Sequence, residues 1–379
     1  MISLKLYMRA VLLLFAVIAI NSQANAFHDQ GVASCSMCHT MHNSKNGMPV
    51  NPNPSNNYLL IQNSTTDLCL SCHQDDNGSV WAHNPINPAP QLGSGNFIFS
   101  GAPNINDAPD GNLIPLAGSH GIHNCVAPSR NSSPDPVHMT APGGTYPAAE
   151  LSCTSCHDPH GNENYRMLRG VGNVPAGNFN FMYPAPLAEG LALSGQSEST
   201  TLHTAYKSGW SNWCANCHGY YHEHAQDFFE HPVNDVIESD ARLAYERYAG
   251  SGNPTGGNAF ESYIPELPFE DVSMTTTTTN GPTPFSRIAC ITCHRAHGSS
   301  AVDLGRWDFR AVNIRLDGIV SGSFPLPSPY MTQSNERQLC VKCHEPEVRQ
   351  HGLNRACIEC HRADPQSDPG DPYDQFKKP

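Results

Sequence analysis

The sequence has 379 residues and a formal net charge of −13 at pH 7, although only 15% of its residues are charged. An acidic surface is repelled by phosphate groups, so this charge argues against nucleic-acid binding and favours cationic partners. Glycine and proline number 30 and 32 and are scattered along the chain. Because both residues interrupt helices and central strands, we expect mostly coil with short helical turns and little β structure.

Residues 1–26 have the pattern of a secretory signal peptide. Two basic residues precede an apolar run at residues 10–20, and Ala24-Asn25-Ala26 provides a small-residue cleavage site. The apolar run is too short to span a bilayer, although a retained anchor is the alternative reading. Removal of this leader would take the formal charge from −13 to −15 and leave an exported chain that begins at Phe27.

The pattern C-x-x-C-H, which is typical of covalent c-type haem attachment, occurs seven times. Two thiols at this spacing reach the two vinyl groups of one porphyrin, and the imidazole that follows lies over the iron. We therefore predict seven covalently bound c-type haems. Their cysteines are Cys35, Cys38, Cys69, Cys72, Cys153, Cys156, Cys214, Cys217, Cys290, Cys293, Cys340, Cys343, Cys357 and Cys360. Their proximal histidines are His39, His73, His157, His218, His294, His344 and His361.

Two other uses of paired cysteines compete with haem attachment. Exported cysteine-rich chains are often disulfide scaffolds, and C-x-x-C pairs can bind zinc. Neither use predicts a histidine directly after every second cysteine. The motifs leave Cys125 as the remaining cysteine, and we expect it to be a buried or free thiol rather than a ligand.

Seven large apolar macrocycles would supply the core that a coil-rich chain otherwise lacks, since ordering so much backbone needs compensating burial. We therefore expect a single heptahaem domain at residues 27–363, organised around a stacked chain of haems. A disordered, polar and proline-rich tail is predicted at residues 364–379. The distances between motifs show no fixed period, so a solenoid of identical repeats is not expected.

One longer helix is predicted at residues 235–249. Asp235 can cap its first turn, Glu238 can pair with Arg242 four positions on, and Gly250 can end it.

The second axial ligand of each iron is predicted to be histidine. Methionine would raise the potential of a haem, but nothing in the sequence requires it. Thirteen histidines lie outside the motifs, which is enough to ligate every iron twice: His28, His42, His83, His120, His123, His138, His160, His203, His222, His224, His231, His297 and His351.

Three of these histidines follow a proximal histidine by three positions, in the form C-H-x-x-H. Residues three apart on a helical turn project from one side of it, whereas a porphyrin plane separates the two axial positions of its iron. The second histidine should therefore ligate a different haem and bring two haems close together. These histidines are His42, His160 and His297.

Several segments resemble the OmcS-like family, which comprises filament-forming, outer-surface hexahaem cytochromes of metal-reducing bacteria. The resemblance extends from residue 27 to residue 344 and agrees in both the sequence and the order of the segments. The segments are Phe27-His28, Gly31-Val32-Ala33, residues 38–43 (CHTMHN), 140–148 (TAPGGTYPA), 155–161 (SCHDPHG), 213–218 (WCANCH), 293–297 (CHRAH) and 339–344 (LCVKCH).

The resemblance implies bis-histidine haems in a coil-rich fold, with subunits that polymerise into a continuous haem stack. In that family the histidine matching His42 ligates the fifth haem of the next subunit, which here is held by Cys290, Cys293 and His294. The distal ligands implied by position are His28, His42, His83, His123, His160, His231 and His297, and His222 also resembles a family position. The seventh motif departs from the family, and His351 is its natural companion.

We therefore expect extracellular electron transfer by an electron carrier rather than an enzyme, located outside the cell or on its outer surface. Other cytochromes or extracellular acceptors such as metal oxides would be its partners. Two alternatives stay open. A periplasmic or surface shuttle would carry the same haems without polymerising. A multihaem reductase would need an open or lysine-ligated iron, and the sequence contains no C-x-x-C-K motif.

Overall fold

The computed structural model describes residues 34–50, 59–74, 80–81, 93–98, 106–107, 114–115, 121–175, 178–191, 198–223, 233–249, 255–299, 302–306 and 342–344. In this part of the chain, no helix is long and apolar enough to cross a membrane. Several predictions fall outside these residues: the signal peptide, the tail, Cys340, Cys357 and Cys360, and the histidines His28, His83, His231, His351 and His361.

The helices are short, and the longest among the described residues has nine residues. In chain order they are α1 (Cys35–Cys38), α2 (Thr65–Leu70), α3 (Cys153–Cys156), α4 (Trp210–Ala215), α5 (Gly219–Glu223), α6 (Ser239–Arg247) and α7 (Cys290–Cys293). Single 3₁₀ turns lie at Pro128–Arg130, Ala148–Glu150, Tyr165–Met167 and Val302–Leu304.

Among the described residues, the strands pair as small antiparallel ladders of two strands each. They are β1 (Ser44–Lys45) with β2 (Met48–Pro49), β3 (Asn106–Asp107) with β4 (Ile114–Pro115), β5 (Gly172–Asn173) with β6 (Asn180–Phe181), and β7 (Leu187–Glu189) with β8 (Ala205–Ser208). The predicted fold class, mostly coil with short helical turns and little β structure, is confirmed.

Helix α5 directly follows the fourth motif, whereas α1, α3 and α7 lie on the C-x-x-C residues themselves. Helices α1, α3 and α7 each contain only the two cysteines and the residues between them. The next residue is the proximal histidine, which is extended in all three cases, with φ/ψ of −118°/152°, −110°/142° and −114°/155° at His39, His157 and His294. The helical geometry assumed for C-H-x-x-H is therefore wrong, because the helix ends before the second histidine.

The helix predicted at residues 235–249 is shorter than expected, because α6 begins at Ser239 and ends at Arg247. Residues 235–237 pair with a distant segment instead: Val236 bridges Arg287, and the N–H of Ile237 donates to Ser286 O at 2.9 Å. This pairing uses the backbone groups that a longer helix would need. Asp235 consequently does not cap the helix.

The apolar core is divided into four small clusters around the motif turns. Cys293 and Cys343 pack against the first cluster, Leu70 lies in the second, Ile291 in the third, and Cys217 packs against the fourth. Buried side chains in this part of the chain thus gather where haems would attach. This distribution agrees with a fold in which macrocycles complete the core.

Candidate haem-binding sites

The three C-H-x-x-H motifs share one backbone arrangement, which we call a unit. In each unit the chain leaves the C-x-x-C turn, loops away, and returns as a three-residue return segment beside the proximal histidine. The return segments are residues 59–61, 167–169 and 304–306. Their middle residues form antiparallel bridges with the proximal histidine: Leu60 with His39, Leu168 with His157 and Gly305 with His294.

Two backbone hydrogen bonds recur in all three units. The residue after the proximal histidine donates to the first residue of the return segment: Thr40 to Leu59 (2.7 Å), Asp158 to Met167 (2.8 Å) and Arg295 to Leu304 (2.7 Å). The last residue of the segment donates to the second cysteine: Ile61 to Cys38 (2.9 Å), Arg169 to Cys156 (2.8 Å) and Arg306 to Cys293 (2.8 Å).

The first residue of each return segment has a left-handed backbone. The φ values are 52° at Leu59, 56° at Met167 and 56° at Leu304. A non-glycine residue in this region costs about 1–3 kcal/mol and persists only where its surroundings over-determine it. The same strain at three equivalent positions shows that the return segments are built features of the haem sites.

Sequence reasoning missed these segments because the loop before them varies in length. In the second and third units the arginine follows the first cysteine by 16 positions, whereas Ile61 follows Cys35 by 26. An ungapped comparison of the segments beginning at Cys153 and Cys290 would have revealed the shared arginine.

Three pairs of histidine rings face each other at nearly the same separation. His39 and His160 have ring centres 6.2 Å apart and an interplanar angle of 7°; His157 and His297 are 6.2 Å apart at 55°; His123 and His218 are 6.0 Å apart at 39°. A metal–imidazole bond is about 2 Å long, so two imidazoles on opposite sides of one ion have centres about 6 Å apart. The observed spacing therefore fits an iron between the rings of each pair.

In His294 and in three of the paired rings, a backbone carbonyl accepts from Nδ1 and not from Nε2. Nδ1 lies 2.8 Å from Arg166 O in His157, 2.7 Å from Pro142 O in His218, 2.6 Å from Asp303 O in His294 and 2.6 Å from Ala296 O in His123. A metal-ligating histidine commonly donates its other ring N–H to a backbone carbonyl, which fixes its tautomer and orientation. These four rings have that arrangement.

Burial keeps three of the paired imidazoles in the neutral form that binds metals. Desolvation lowers the pKa of His297 to about 3 and that of His218 to about 4. Desolvation also lowers the pKa of His123, against a hydrogen bond to Ala296 that raises it. Because only a neutral imidazole offers a lone pair to a metal, these environments favour ligation at neutral pH.

The segment at residues 140–148 joins the third and fourth motifs. Its Pro142 carbonyl accepts from His218, and its Tyr146 hydroxyl donates to Ser155 Oγ at 2.6 Å inside α3. A β-carbon at Gly144 would overlap the carbonyl oxygen of Cys217. The double glycine in this segment therefore allows its backbone to pack directly on the fourth motif.

The C-H-x-x-H stretch of the third unit serves more than one site. His294 is the proximal histidine of its own motif, whereas His297 lies opposite His157 of the second unit. Between them, the carbonyl of Ala296 accepts from Nδ1 of His123, whose backbone N–H donates to His297 O at 3.1 Å. These few residues therefore couple the third, fourth and fifth candidate sites.

The motifs follow one another through space in their order along the chain. Helices α2 and α3 pack together, as do α4 and α7. Cysteines of consecutive motifs are close enough to interact through hydrogen bonds or charge: Cys38 with Cys72, Cys69 with Cys153, Cys156 with Cys217, Cys214 with Cys290 and Cys293 with Cys343. Haems attached here would form one unbranched sequence from the first to the sixth.

The other described histidines have different surroundings. His42 is exposed. Nε2 of His222 contacts Asn212 Oδ1 at 2.7 Å, so the atom that would bind iron is engaged by an amide. His203 is fully buried, with its ring nitrogens 2.9 Å from Thr204 O and 2.7 Å from Thr278 O. His222 and His203 thus have hydrogen-bonding roles in this structure.

The cysteines give no support to a disulfide scaffold in the part of the chain that the structure describes. All twelve cysteines there are free of disulfide bonds. The prediction that Cys125 is a buried thiol is confirmed, since it is 5% exposed and lies within hydrogen-bonding distance of Cys153.

Comparisons with known proteins decide the family. The chain is 31% identical over 413 aligned residues to C-type cytochrome OmcS of Geobacter sulfurreducens, covering 85% of this chain and 94% of that protein. The chain belongs to the OmcS family of c-type cytochromes. Membership of this family makes it an electron-carrying cytochrome rather than an enzyme.

Two solved structures have the same fold as this OmcS-family chain. One is the outer membrane cytochrome S filament from Geobacter sulfurreducens, with a TM-score of 0.65 and 26% identity, covering 83% of this chain and 98% of that one. The other comes from cryo-EM of OmcS nanowires from the same organism, with a TM-score of 0.66, 27% identity and coverages of 84% and 99%. A family model described as a doubled CXXCH motif also matches residues 146–177.

Proposed function

We propose that this chain is the subunit of an extracellular cytochrome filament and conducts electrons through seven bis-histidine c-type haems. The observation that carries the proposal is the set of three histidine pairs at 6.0–6.2 Å, each joining a proximal histidine to a histidine from elsewhere in the chain. When bound, a c-type haem would supply a one-electron carrier, and the histidines of each pair would hold its iron.

The ligands follow from the pairs and from the motifs. Fourteen cysteines attach the haems: Cys35, Cys38, Cys69, Cys72, Cys153, Cys156, Cys214, Cys217, Cys290, Cys293, Cys340, Cys343, Cys357 and Cys360. His160 serves the iron of His39, His297 that of His157, and His123 that of His218. The remaining proximal ligands are His73, His294, His344 and His361, and the candidates for the four distal positions opposite them are His28, His42, His83, His231 and His351.

The fold keeps consecutive carriers close and fixed. Contacts between the cysteines of neighbouring motifs set the order of the sites, and the shared C-H-x-x-H segments tie each unit to the one before it. Backbone hydrogen bonds to Nδ1 hold the imidazoles rigidly, which limits their rearrangement when an electron passes. A chain of fixed six-coordinate sites is suited to electron transfer and leaves no open position for a substrate.

The same relationship between consecutive units supports the proposal that a histidine of one subunit ligates an iron of the next. The second histidine of the second unit, His160, lies opposite the proximal histidine of the first, and His297 of the third unit lies opposite His157 of the second. If this relationship is repeated between subunits, His42 of the first unit would ligate the iron of His294 in a neighbouring subunit. Its exposure leaves His42 accessible to that neighbour. Polymerisation and electronic continuity would then depend on the same coordination bond.

The extracellular location and the filament rest on the family, since the solved relatives are a filament and nanowires. A shuttle that does not polymerise is the second candidate, because the seventh motif at Cys357–Cys360 and His361 extends beyond the resemblance and would alter an end of the haem chain. A reductase is a weaker candidate, since each of the three histidine pairs would leave its iron without an open position.

Three measurements on native material test the proposal. The intact mass should exceed that of the polypeptide by seven haems, and electron microscopy should show filaments. Carbon monoxide should bind none of the reduced haems of the filament. Six haems or fewer would refute the heptahaem assignment. Particles that stay monomeric would favour the shuttle, and stoichiometric carbon monoxide binding would favour the reductase.

A further inference from the structure

The three units differ in charge at two equivalent positions beside the proximal histidine. The residue after that histidine is Thr40, Asp158 or Arg295, and the last residue of the return segment is Ile61, Arg169 or Arg306. The first unit is therefore uncharged at these positions, the second carries one charge of each sign, and the third carries two positive charges.

In the second unit the opposite charges face each other. Nη1 of Arg169 lies 3.9 Å from Oδ2 of Asp158, and both side chains are partly exposed, at 17% and 29%. The guanidinium also donates from Nε to Thr154 O at 2.7 Å, within the third C-x-x-C turn. The two charges largely cancel at the third haem site, and water screens what is left.

In the third unit both guanidinium groups are buried, with Arg295 2% exposed and Arg306 fully buried. Nε of Arg306 donates to Ile291 O at 2.5 Å, inside the fifth C-x-x-C turn, and so occupies the position that Arg169 occupies in the second unit. Its other nitrogens contact Pro265 O at 3.1 Å and Tyr206 Oη at 3.4 Å. Arginine keeps its charge even when buried.

Two buried carboxyl groups lie near this pair and offset it only in part. They are Glu198, whose Oε1 accepts from the N–H of Thr204 at 2.6 Å, and Glu266. Desolvation raises the pKa of Glu266 to about 7, so at neutral pH it carries only part of a charge. A third buried carboxyl group, Glu270, lies near Cys290, and desolvation raises its pKa as well. Burial thus disfavours the negative charges around this pair, whereas both guanidinium groups keep their positive charge.

We propose that Arg295 and Arg306 make the fifth haem, held by Cys290 and Cys293, the highest in reduction potential of the three haems bound by the units. The proposal rests on the proposed function, because it requires a haem at each motif. Oxidised haem carries one more positive charge than reduced haem, so a nearby buried cation favours the reduced form. An electron moving along the subunit would reside longer on this haem than on the first or the third.

A redox titration of the holoprotein, followed by its haem absorbance, tests the inference. Arg306→Gln and Arg295→Gln should each lower the potential of one component of the titration curve, and the same component should shift in both variants. Arg306→Lys keeps the positive charge and should leave that potential near its wild-type value. Asp158→Asn is the matched variant of the second unit. It should leave the fifth haem unchanged and raise the potential of the third haem; because Asp158 also accepts from the N–H of His160, the first haem can shift with it.

The intact mass and the optical spectrum of every variant distinguish a failure of the proposed function from a failure of the inference about the fifth haem. If the wild-type protein lacks the seventh haem or contains high-spin iron, the proposed function is at fault. If all haems are present and low-spin, three results overturn the inference: no component moves in Arg306→Gln, Arg306→Lys moves the potential as far as Arg306→Gln, or Asp158→Asn moves the same component as Arg306→Gln. Should Arg306→Gln fail to fold, Arg295→Gln and Asp158→Asn carry the same test.

Discussion

The imidazole rings of His39 and His160 are nearly parallel, at an angle of 7°, and their centres lie 6.2 Å apart. This relationship joins the first unit to the second, because His160 follows the proximal histidine of a different motif. On the proposed function, a C-H-x-x-H segment would supply one ligand to its own haem and one to the haem of the unit before it.

Replacing His160 with alanine should convert one haem to high spin, and that haem should be the one attached to Cys35 and Cys38. The physical reason is the loss of the imidazole opposite His39, with the site of His157 left intact. Electron paramagnetic resonance would detect the high-spin iron, and a structure of the variant would locate it. His138→Ala is the control, since His138 contacts Asp135 at 3.3 Å and should leave every haem low-spin. A high-spin haem on Cys153 and Cys156 would contradict the prediction.

Replacing His42 with alanine should leave folding and haem content intact but abolish filaments and create one high-spin haem per subunit. The exposed His42 ring is expected to complete an iron site only after assembly. Negative-stain electron microscopy and the optical spectrum measure the two effects. Met41→Ala changes the neighbouring side chain, which is 81% exposed, and should still polymerise. Normal filaments from the His42 variant would show that another contact holds the subunits together.

Gly144→Ala should destabilise the protein by about 1–3 kcal/mol, the range found for overpacked sites. The added methyl group would overlap the carbonyl oxygen of Cys217 and displace the segment that accepts from His218. Thermal unfolding measures the loss. Gly219→Ala is the matched control, because a β-carbon there meets nothing within 4 Å and alanine favours the helix. Equal melting temperatures for the two variants would refute the close packing.

Glu266→Gln should stabilise the protein above neutral pH and have little effect in acid. Burial raises the pKa of Glu266 from 4.5 to about 7. A raised carboxyl pKa means that the folded state holds the proton more tightly than the unfolded state. The loss of unfolding free energy caused by Glu266 is therefore absent below about pH 4.5. It grows as the pH rises through 7, to at most about 3 kcal/mol. Melting temperatures at pH 4 and pH 8 test this, with the exposed Glu261→Gln as control. A gain at pH 4 as large as at pH 8 would contradict the prediction.

The fold class could be predicted because proline, glycine and the motifs act locally. The helix at residues 235–249 was predicted too long for the opposite reason. Its first residues satisfy every local rule for a helix, yet they pair with residues 286–288 far along the chain. Local propensity cannot reveal such a competitor.

The site residues could be predicted where covalent haem attachment fixes their spacing in the sequence. They could not be predicted where only the fold brings them together. The C-x-x-C-H pattern by itself identifies the two cysteines and the proximal histidine of each site. The partner of His218 could not be derived from spacing, because His123 is brought opposite it by the carbonyl of Ala296 in a distant segment. Arg169 and Arg306 were missed because each contacts its own C-x-x-C turn only when the chain folds back onto its motif.

A cryo-EM map of material from the cell surface tests the central claim most directly. We expect filaments in which Nε2 of His42 ligates the iron of the haem attached to Cys290 and Cys293 of the adjacent subunit, opposite His294. Within each subunit, the same map should place His160 opposite His39 and His297 opposite His157. A map in which His42 ligates an iron of its own subunit, or lies free in solvent at the junction, would contradict the account.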